Sequence, residues 1–230
     1  MIANYNSFVD TLLNAGFSMG GGNSEGIYAI INWGWNETPL YETPIVWHTG
    51  DPDTDPWEWR MRVLEERDDI AYGKFFFKKS GFITREWYPY FLAARRSGSF
   101  QDMYESGMIS HDAKRVYDII AQNDATPSHI VKQAAGFTKE SKAAFDRALV
   151  ELQMLMFITV CGRQVTLTKK GTVDHMPSSM FCTTESFFGD DVFQQAAQIS
   201  TGDAIEKITG QVLKLNPDAQ AKKVVKFIRG

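Results

Sequence analysis

Cysteine is almost missing from this 230-residue chain: there are two, Cys161 and Cys182, far apart and each among apolar neighbours. A disulfide scaffold is thereby excluded, because stapled folds need even sets of closely spaced cysteines, and reduced thiols are expected. Long apolar runs are lacking too. The longest candidate, 149–161, is broken by Glu151 and Gln153, so nothing reaches the roughly 18 apolar residues of a membrane span. The start, MIANYNSFVDTLLNAGF, has no basic stretch followed by a long apolar one. It therefore does not read as a secretory signal, and a cytoplasmic location is expected. No internal repeat and no low-complexity tract is present.

Several kinds of chemistry are also missing. His48, His111, His129 and His175 are scattered, none with an i+4 partner suited to a metal on a helix. Gly20-Gly21-Gly22 lacks the Gly-Lys-Ser/Thr ending and the preceding strand of a phosphate loop. Asp51, Asp53 and Asp55 alternate, but a calcium loop needs glycine at its sixth position and glutamate at its twelfth. Those positions hold Pro56 and Arg62. Neither cysteine has a histidine nearby to activate it as a nucleophile. No metal and no cofactor are expected.

What is present is unevenly distributed. The net charge is −4, yet residues 1–69 carry 3 basic and 12 acidic groups, while 70–109 carry 6 and 3. Residues 110–172 carry 9 and 6, and 173–230 carry 6 and 7. The middle of the chain is thus mildly basic, and affinity for a polyanion depends on the local patch rather than the total. All six tryptophans lie in the first 87 residues. Together these divide the chain into an acidic, aromatic-rich α+β region at 1–109, a helical segment at 110–172, and a C-terminal extension with helices at 173–230.

In the first region, 5–17 reads as a helix stopped by Gly20 to Gly22. The stretches 26–35 and 44–48 read as strands. A helix over 57–67 is expected, capped by Asp55 with Pro56 in its first turn, placing Trp57, Met61 and Leu64 on one face. Residues 71–78 are strand-like, and 84–94 reads as a helix capped by Thr84.

From Ser110 the periodicity is helical: Ala113, Val116, Tyr117 and Ile120 repeat at i, i+3, i+4, i+7 behind a serine cap. Thr126-Pro127 reads as the cap and first position of a second helix ending at Gly136. Thr138 reads as the cap of a third, with Ala144, Phe145, Ala148, Leu149, Leu152 and Met156 in its apolar stripe. Residues 157–160 and 164–168 then read as a hairpin turning at Gly162 and closed by Lys169-Lys170. Helix, turn, short helix, glycine turn, long helix and hairpin make up a winged helix-turn-helix. Lys139, Ser141 and Lys142 would stand at the start of the recognition helix, Arg163 at the wing tip, and Lys169 and Lys170 beside it. Double-stranded DNA is the expected partner of these residues. Winged helices also dock proteins or serve as architecture, and lysine pairs at helix starts are often only solvated.

Trp47-His48-Thr49-Gly50-Asp51-Pro52-Asp53-Thr54-Asp55-Pro56-Trp57-Glu58-Trp59-Arg60 resembles a stretch of the bacterial AlkZ-related family. So do Ala71-Tyr72-Gly73-Lys74-Phe75-Phe76 and Gly81-Phe82-Ile83 with Trp87 and Pro89. The resemblance runs over roughly 40–170 and implies a winged-helix, DNA-associated protein akin to alkylation-repair glycosylases. Those glycosylases resemble one another in a Gln-aliphatic-Gln (or Asp) motif that positions water. This chain departs from it: Gln122-Asn123-Asp124 has a polar centre in an interhelical turn, and Gln194-Gln195 are adjacent.

A second constellation competes for attention. Arg60, Arg62, Tyr72, Lys74, Lys78, Lys79 and Arg85 lie among Trp57, Trp59, Phe75 to Phe77 and Trp87. Basic residues between aromatics suit a nucleic-acid or nucleotide surface, with Trp57, Arg60, Tyr72, Lys74 and Trp87 as its candidates. The same pattern describes an aromatic core fringed by lysines. As an alternative to DNA binding, an enzyme or ligand-binding protein would use a deep pocket of Trp33, Trp57, Tyr72 and Lys74, with the winged helix a structural or protein-interaction module.

Overall fold

The computed structural model describes residues 2–123, 125–164 and 178–230. In chain order the elements are α1 (Tyr5–Ala15), β1 (Phe17–Met19), α2 (Pro56–Glu66), β2 (Ile70–Phe76), β3 (Lys79–Thr84), α3 (Tyr88–Arg95) and α4 (Phe100–Glu105). There follow α5 (His111–Ala121), β4 (Thr126–Pro127), α6 (Ser128–Ala134), α7 (Lys142–Met154), β5 (Ile158–Gln164) and β6 (Ser178–Thr183). Then come α8 (Thr184–Phe188), α9 (Asp190–Ala197), α10 (Thr201–Leu215) and α11 (Ala221–Arg229). The chain is a mixed α+β protein with two compact units, 1–95 together with 190–230, and 96–189. The sequence alone suggests boundaries at 109 and 172; compactness groups α9 to α11 with the N-terminal region.

In the first unit β3 lies between β1 and β2, both antiparallel to it, in the register Phe17↔Ile83 and Tyr72↔Phe82. The core is aromatic. Trp59, Tyr88, Phe17, Phe75, Phe76, Phe91 and Phe227 are all fully buried, and each phenylalanine so buried contributes roughly 2–3 kcal/mol. Val224, Phe227 and Ile228, at i, i+3, i+4 on α11, form its inward face, and Phe227 stacks on Phe76 with centroids 4.1 Å apart. Arg95 ends α3 inside this core. Its guanidinium donates to the carbonyls of Phe75 at 2.8 Å, Phe227 at 2.9 Å and Ile228 at 2.7 Å. Two of these are final-turn carbonyls of α11, which lack helical partners and carry the negative end of the helix dipole.

Several local expectations change here. Helix α1 stops at Gly16, whose φ of 86° and close approach to the Trp87 ring admit no side chain, so Phe17 already belongs to β1. Residues 26–35 and 44–48 form no strand. Ile27, Ala29, Ile31 and Trp33 do alternate inward, but their backbone bonds are sporadic: Met19 N–H to Tyr28 O, and Ile30 N–H to the Ser18 hydroxyl. In α2 the buried face is Pro56, Trp59 and Val63 with Met61, leaving Trp57 outside. Trp59 faces Phe8 at 5.0 Å and donates its Nε1–H to Pro52 O at 3.1 Å. Thr84 ends β3, and the following helix starts at Tyr88.

In the second unit β6 lies between β5 and β4, again antiparallel, with Ile158↔Thr183 and Thr126↔Phe181 in register. Ser110 caps α5 as expected, and the Glu151 carboxylate on α7 accepts from the Ser110 N–H at 2.6 Å and hydroxyl at 2.8 Å. Thr126 lies in β4, not at a cap, and Pro127 takes the N-cap position of α6. Gly136, at φ 72°, makes the turn after α6 beside the Arg115 guanidinium, which donates to Ala135 O and covers the Phe137 ring. Helix α7 starts at Lys142, later than a Thr138 cap implies. Phe145, Ala148, Leu149 and Leu152 form its buried stripe. Arg96 closes this unit's other end, donating to Met156 O, Thr184 Oγ1 and Glu185 with its guanidinium 4.0 Å over the Phe157 ring.

Replacing Arg95 with methionine leaves three buried carbonyls without that donor. The variant is expected to lose about 2–4 kcal/mol in urea unfolding. A loss under about 1 kcal/mol would mean the guanidinium does not hold α11. Glu25 provides a pH test. Hydrogen bonds and ion pairs from Lys223 at 2.5 Å and Lys79 at 2.8 Å hold its carboxyl down at about 2. Because the folded value is depressed, its contribution is present above about 4.5 and is lost as pH falls towards 2. Glu25→Gln should flatten that part of the acid limb of the stability profile.

Candidate nucleic-acid interface

Lys139, Ser141 and Lys142 do come together where α7 begins, though not in the way a simple cap would arrange them. Ser141 is the N-cap residue, but its hydroxyl accepts from the Thr138 N–H at 2.8 Å and makes no cap bond to the helix. Lys139 lies in the turn before the helix and is exposed. Lys142 pairs with Asp146 one turn on, at 2.6 Å, both side chains half or more exposed. Such a pair contributes little to stability and exchanges readily for a stronger anion. Lys132, which acts on Glu140, and exposed Arg147 on α7 extend the basic surface, and sequence reasoning passed over both. Glu140 opposes them: the Thr138 hydroxyl holds its carboxyl below the usual range, so it stays ionised.

The strand that follows corrects the expected wing. Residues 158–164 form one strand running through Gly162, where a register shift lets Val160 face Phe181 and Gly162 face Met180. Cys161 is the extra residue of a bulge, and Gly162 beside it makes no turn. Arg163 sits within β5 opposite Ser179, partly exposed, and not at a tip. Lys169 and Lys170, with His175, lie outside the described residues. The two cysteines, distant in sequence, are neighbours across β5 and β6, where the Cys182 thiol hydrogen-bonds Cys161 and lowers its pKa.

The N-terminal candidates separate into core and surface. Trp33, Tyr72 and Trp87 are buried, Tyr72 against Phe82 at 5.0 Å and Trp87 against Phe17 at 5.5 Å. Trp57 is 41% exposed with the Arg60 guanidinium 3.3 Å over its ring, and Lys74 is the one exposed residue of β2. Trp33, Trp57, Tyr72 and Lys74 thus cannot line one deep pocket. A shallow recess of about 200 Å³ in this unit is lined by Tyr5, Asn6, Val9, Asp10, Glu66 and Arg67, none of them candidates. Among the described residues no group of three or more His, Cys, Asp or Glu is placed to hold a metal.

What the tryptophan-rich stretch builds is an exposed loop latched from below. The Asp55 carboxylate is fully buried and accepts three backbone N–H groups: His48 at 3.0 Å, Gly50 at 2.9 Å and Trp57 at 2.8 Å. One side chain thereby caps α2 and folds the loop back on it. His48, at φ 61°, is held against Trp57 at 4.7 Å, with Trp35 6.0 Å away and Trp47 6.4 Å away. A bulky residue at positive φ costs about 1–2 kcal/mol, a strain that the Asp55 bonds to either side of it sustain.

The family described as AlkZ related matches residues 2–229, and the chain belongs to that family. No curated protein and no solved structure matches it. The stretch of 47–60, a loop running into α2, carries the sequence resemblance and is held in place largely by one side chain. Asp55→Asn keeps an oxygen for His48 and Trp57 but turns an amide donor towards the Gly50 N–H. It should cost about 1–3 kcal/mol in thermal unfolding and shift the tryptophan emission of the folded protein. Unchanged stability would remove the latch.

Proposed function

We propose, from membership of the AlkZ-related family, that this protein binds double-stranded DNA in a repair-related role through a winged helix-turn-helix in its second unit. The observation that carries the reading is the order and pairing of elements there. Helix α5, short strand β4, short helix α6, a positive-φ glycine and longer helix α7 are followed by the β5–β6 pair, with β4 on the edge of β6. In that arrangement α7 is the recognition helix and the β5–β6 pair is the wing. Lys139, Ser141 and Lys142 approach the duplex at the start of α7, and Lys132 and Arg147 extend the contact. Arg163, from within β5, adds a phosphate contact; Lys169 and Lys170 lie outside the described residues and remain candidates from the sequence.

The chemistry of the site is that of a binder. Ammonium groups on flexible stems meet phosphates as point charges, and base edges are read only where a side chain enters the groove. Glu140 and Asp146 limit the field, so binding is weak to moderate and falls steeply with salt. Base excision through paired glutamines finds no support. Gln122 is the C-cap of α5, Asn123 bonds back to Ile119 O at 2.7 Å, and Gln194 and Gln195 are successive residues of α9. Asp124 lies outside the described residues.

Lys139→Ala with Lys142→Ala should weaken duplex binding about tenfold at low salt. It should lower the slope of log affinity against log salt by about 2, roughly one per phosphate contact. Fluorescence anisotropy over a salt series measures both. Wild-type protein that retards no duplex at low salt would end the reading.

A further inference from the structure

Helix α11 reads Ala-Lys-Lys-Val-Val-Lys-Phe-Ile-Arg, four cations and no carboxylate in nine residues. Its apolar face is committed to the core: Val224, Phe227 and Ile228 are at most 3% exposed. Lys222, Lys226 and Arg229, at i, i+4, i+7, therefore form one outward stripe, about 6 Å and 4.5 Å apart along the axis. None of the three makes an ion pair among the described residues.

The turn joining β2 to β3 adds to this stripe. Phe77 at φ 52° and Lys78 at φ 63° occupy the two positions where such hairpins strongly prefer Asn-Gly. Phe77 tolerates this because its ring is packed, 6.2 Å from Phe227 and 5.6 Å from each of the Lys223 and Lys226 ammonium groups. Lys78 has no such packing and is exposed. A lysine thus stands at a strained position where glycine would fit with less cost. Glu25 neutralises part of the surface by bonding Lys79 and Lys223. It is the carboxylate that any of these cations touches among the described residues.

We propose that Lys78, Lys222, Lys226 and Arg229 form a second phosphate-binding surface for duplex DNA, sequence-independent and carried by the first unit. The choice of partner rests on the DNA reading above; the surface itself does not. A bilayer is disfavoured because α11 has no apolar face left to insert. A protein partner is disfavoured because the stripe offers no aromatic anchor, only Val225 at 50% exposure between the cations. Unpaired ammonium and guanidinium groups in a row, without carboxylates, suit a phosphate backbone.

The test uses the full chain and a labelled 30-base-pair duplex of arbitrary sequence across a salt series. Lys222→Gln with Lys226→Gln and Arg229→Gln should lower the salt slope by about 2–3 and weaken binding at least tenfold at low salt. Lys78→Gly should lower the slope by about 1 while its Tm stays at or above that of the wild type, which separates lost charge from lost fold. Wild-type slopes in both variants overturn the proposal. If they persist while Lys139→Ala/Lys142→Ala reduces the slope, only this inference falls. The reverse pattern retains the surface and removes the recognition-helix reading, and no binding by the wild type removes both. Competition by polyglutamate as effective, charge for charge, as unlabelled duplex would overturn DNA as the occupant in favour of an acidic protein.

Discussion

The Arg95 guanidinium, 8% exposed and bonded to three main-chain carbonyls, is the contact on which the first unit depends most. Burial pulls its pKa down to about 9, which still leaves it charged at neutral pH. It ties the end of α3 to strand β2 and to the last turn of α11, and so fixes which side of α11 faces inward. Once Phe227 is seated on Phe76, the lysines of the same helix have no choice but to face water. The direction of a charged surface is here set by a buried charge.

Asp55 obeys the same physics with the sign reversed. Burying a charge is costly unless its bonding capacity is filled, and three N–H groups fill the carboxylate as three C=O groups meet the guanidinium. Arg96 and Arg115 in the second unit combine such backbone bonds with ion pairs: Arg96 reaches Met156 O and pairs with Glu185, and Arg115 reaches Ala135 O and pairs with Asp112, each across an aromatic ring. Irregular segments with little secondary structure, such as 20–55, are thereby ordered by a few side chains rather than by ladders.

How much of this the sequence discloses depends on the range of the determining interaction. The caps at Ser110 and Asp55, the strand at 70–76 and the buried stripe of α7 rest on neighbours within a turn or two, and all are legible. The alternating Ile27, Ala29, Ile31 and Trp33 promise a strand, yet the edge they follow offers the hydroxyl of Ser18 in place of a regular partner. Gly162 looks like a turn because glycine punctuates many hairpins; only the distant Ser178–Thr183 partner reveals a bulge beside it. Trp57 and Trp59 exchange faces because the partner of Trp59, Phe8, is remote in sequence. Among candidate site residues, Lys139, Ser141 and Lys142 lie at the start of α7, whereas the aromatic set divides between core and surface. The stripe of α11 escapes a regional count, because residues 173–230 carry 6 basic and 7 acidic groups and so nearly balance.

Charges satisfied by backbone dipoles have a property that surface ion pairs lack. Their partners do not titrate, and electrolyte does not come between them, since screening acts on groups that water reaches. The frame around Arg95 and Asp55 is accordingly far less sensitive to ionic strength than the exposed lysines are. A change of ionic strength therefore acts first on the exposed lysines and last on this frame.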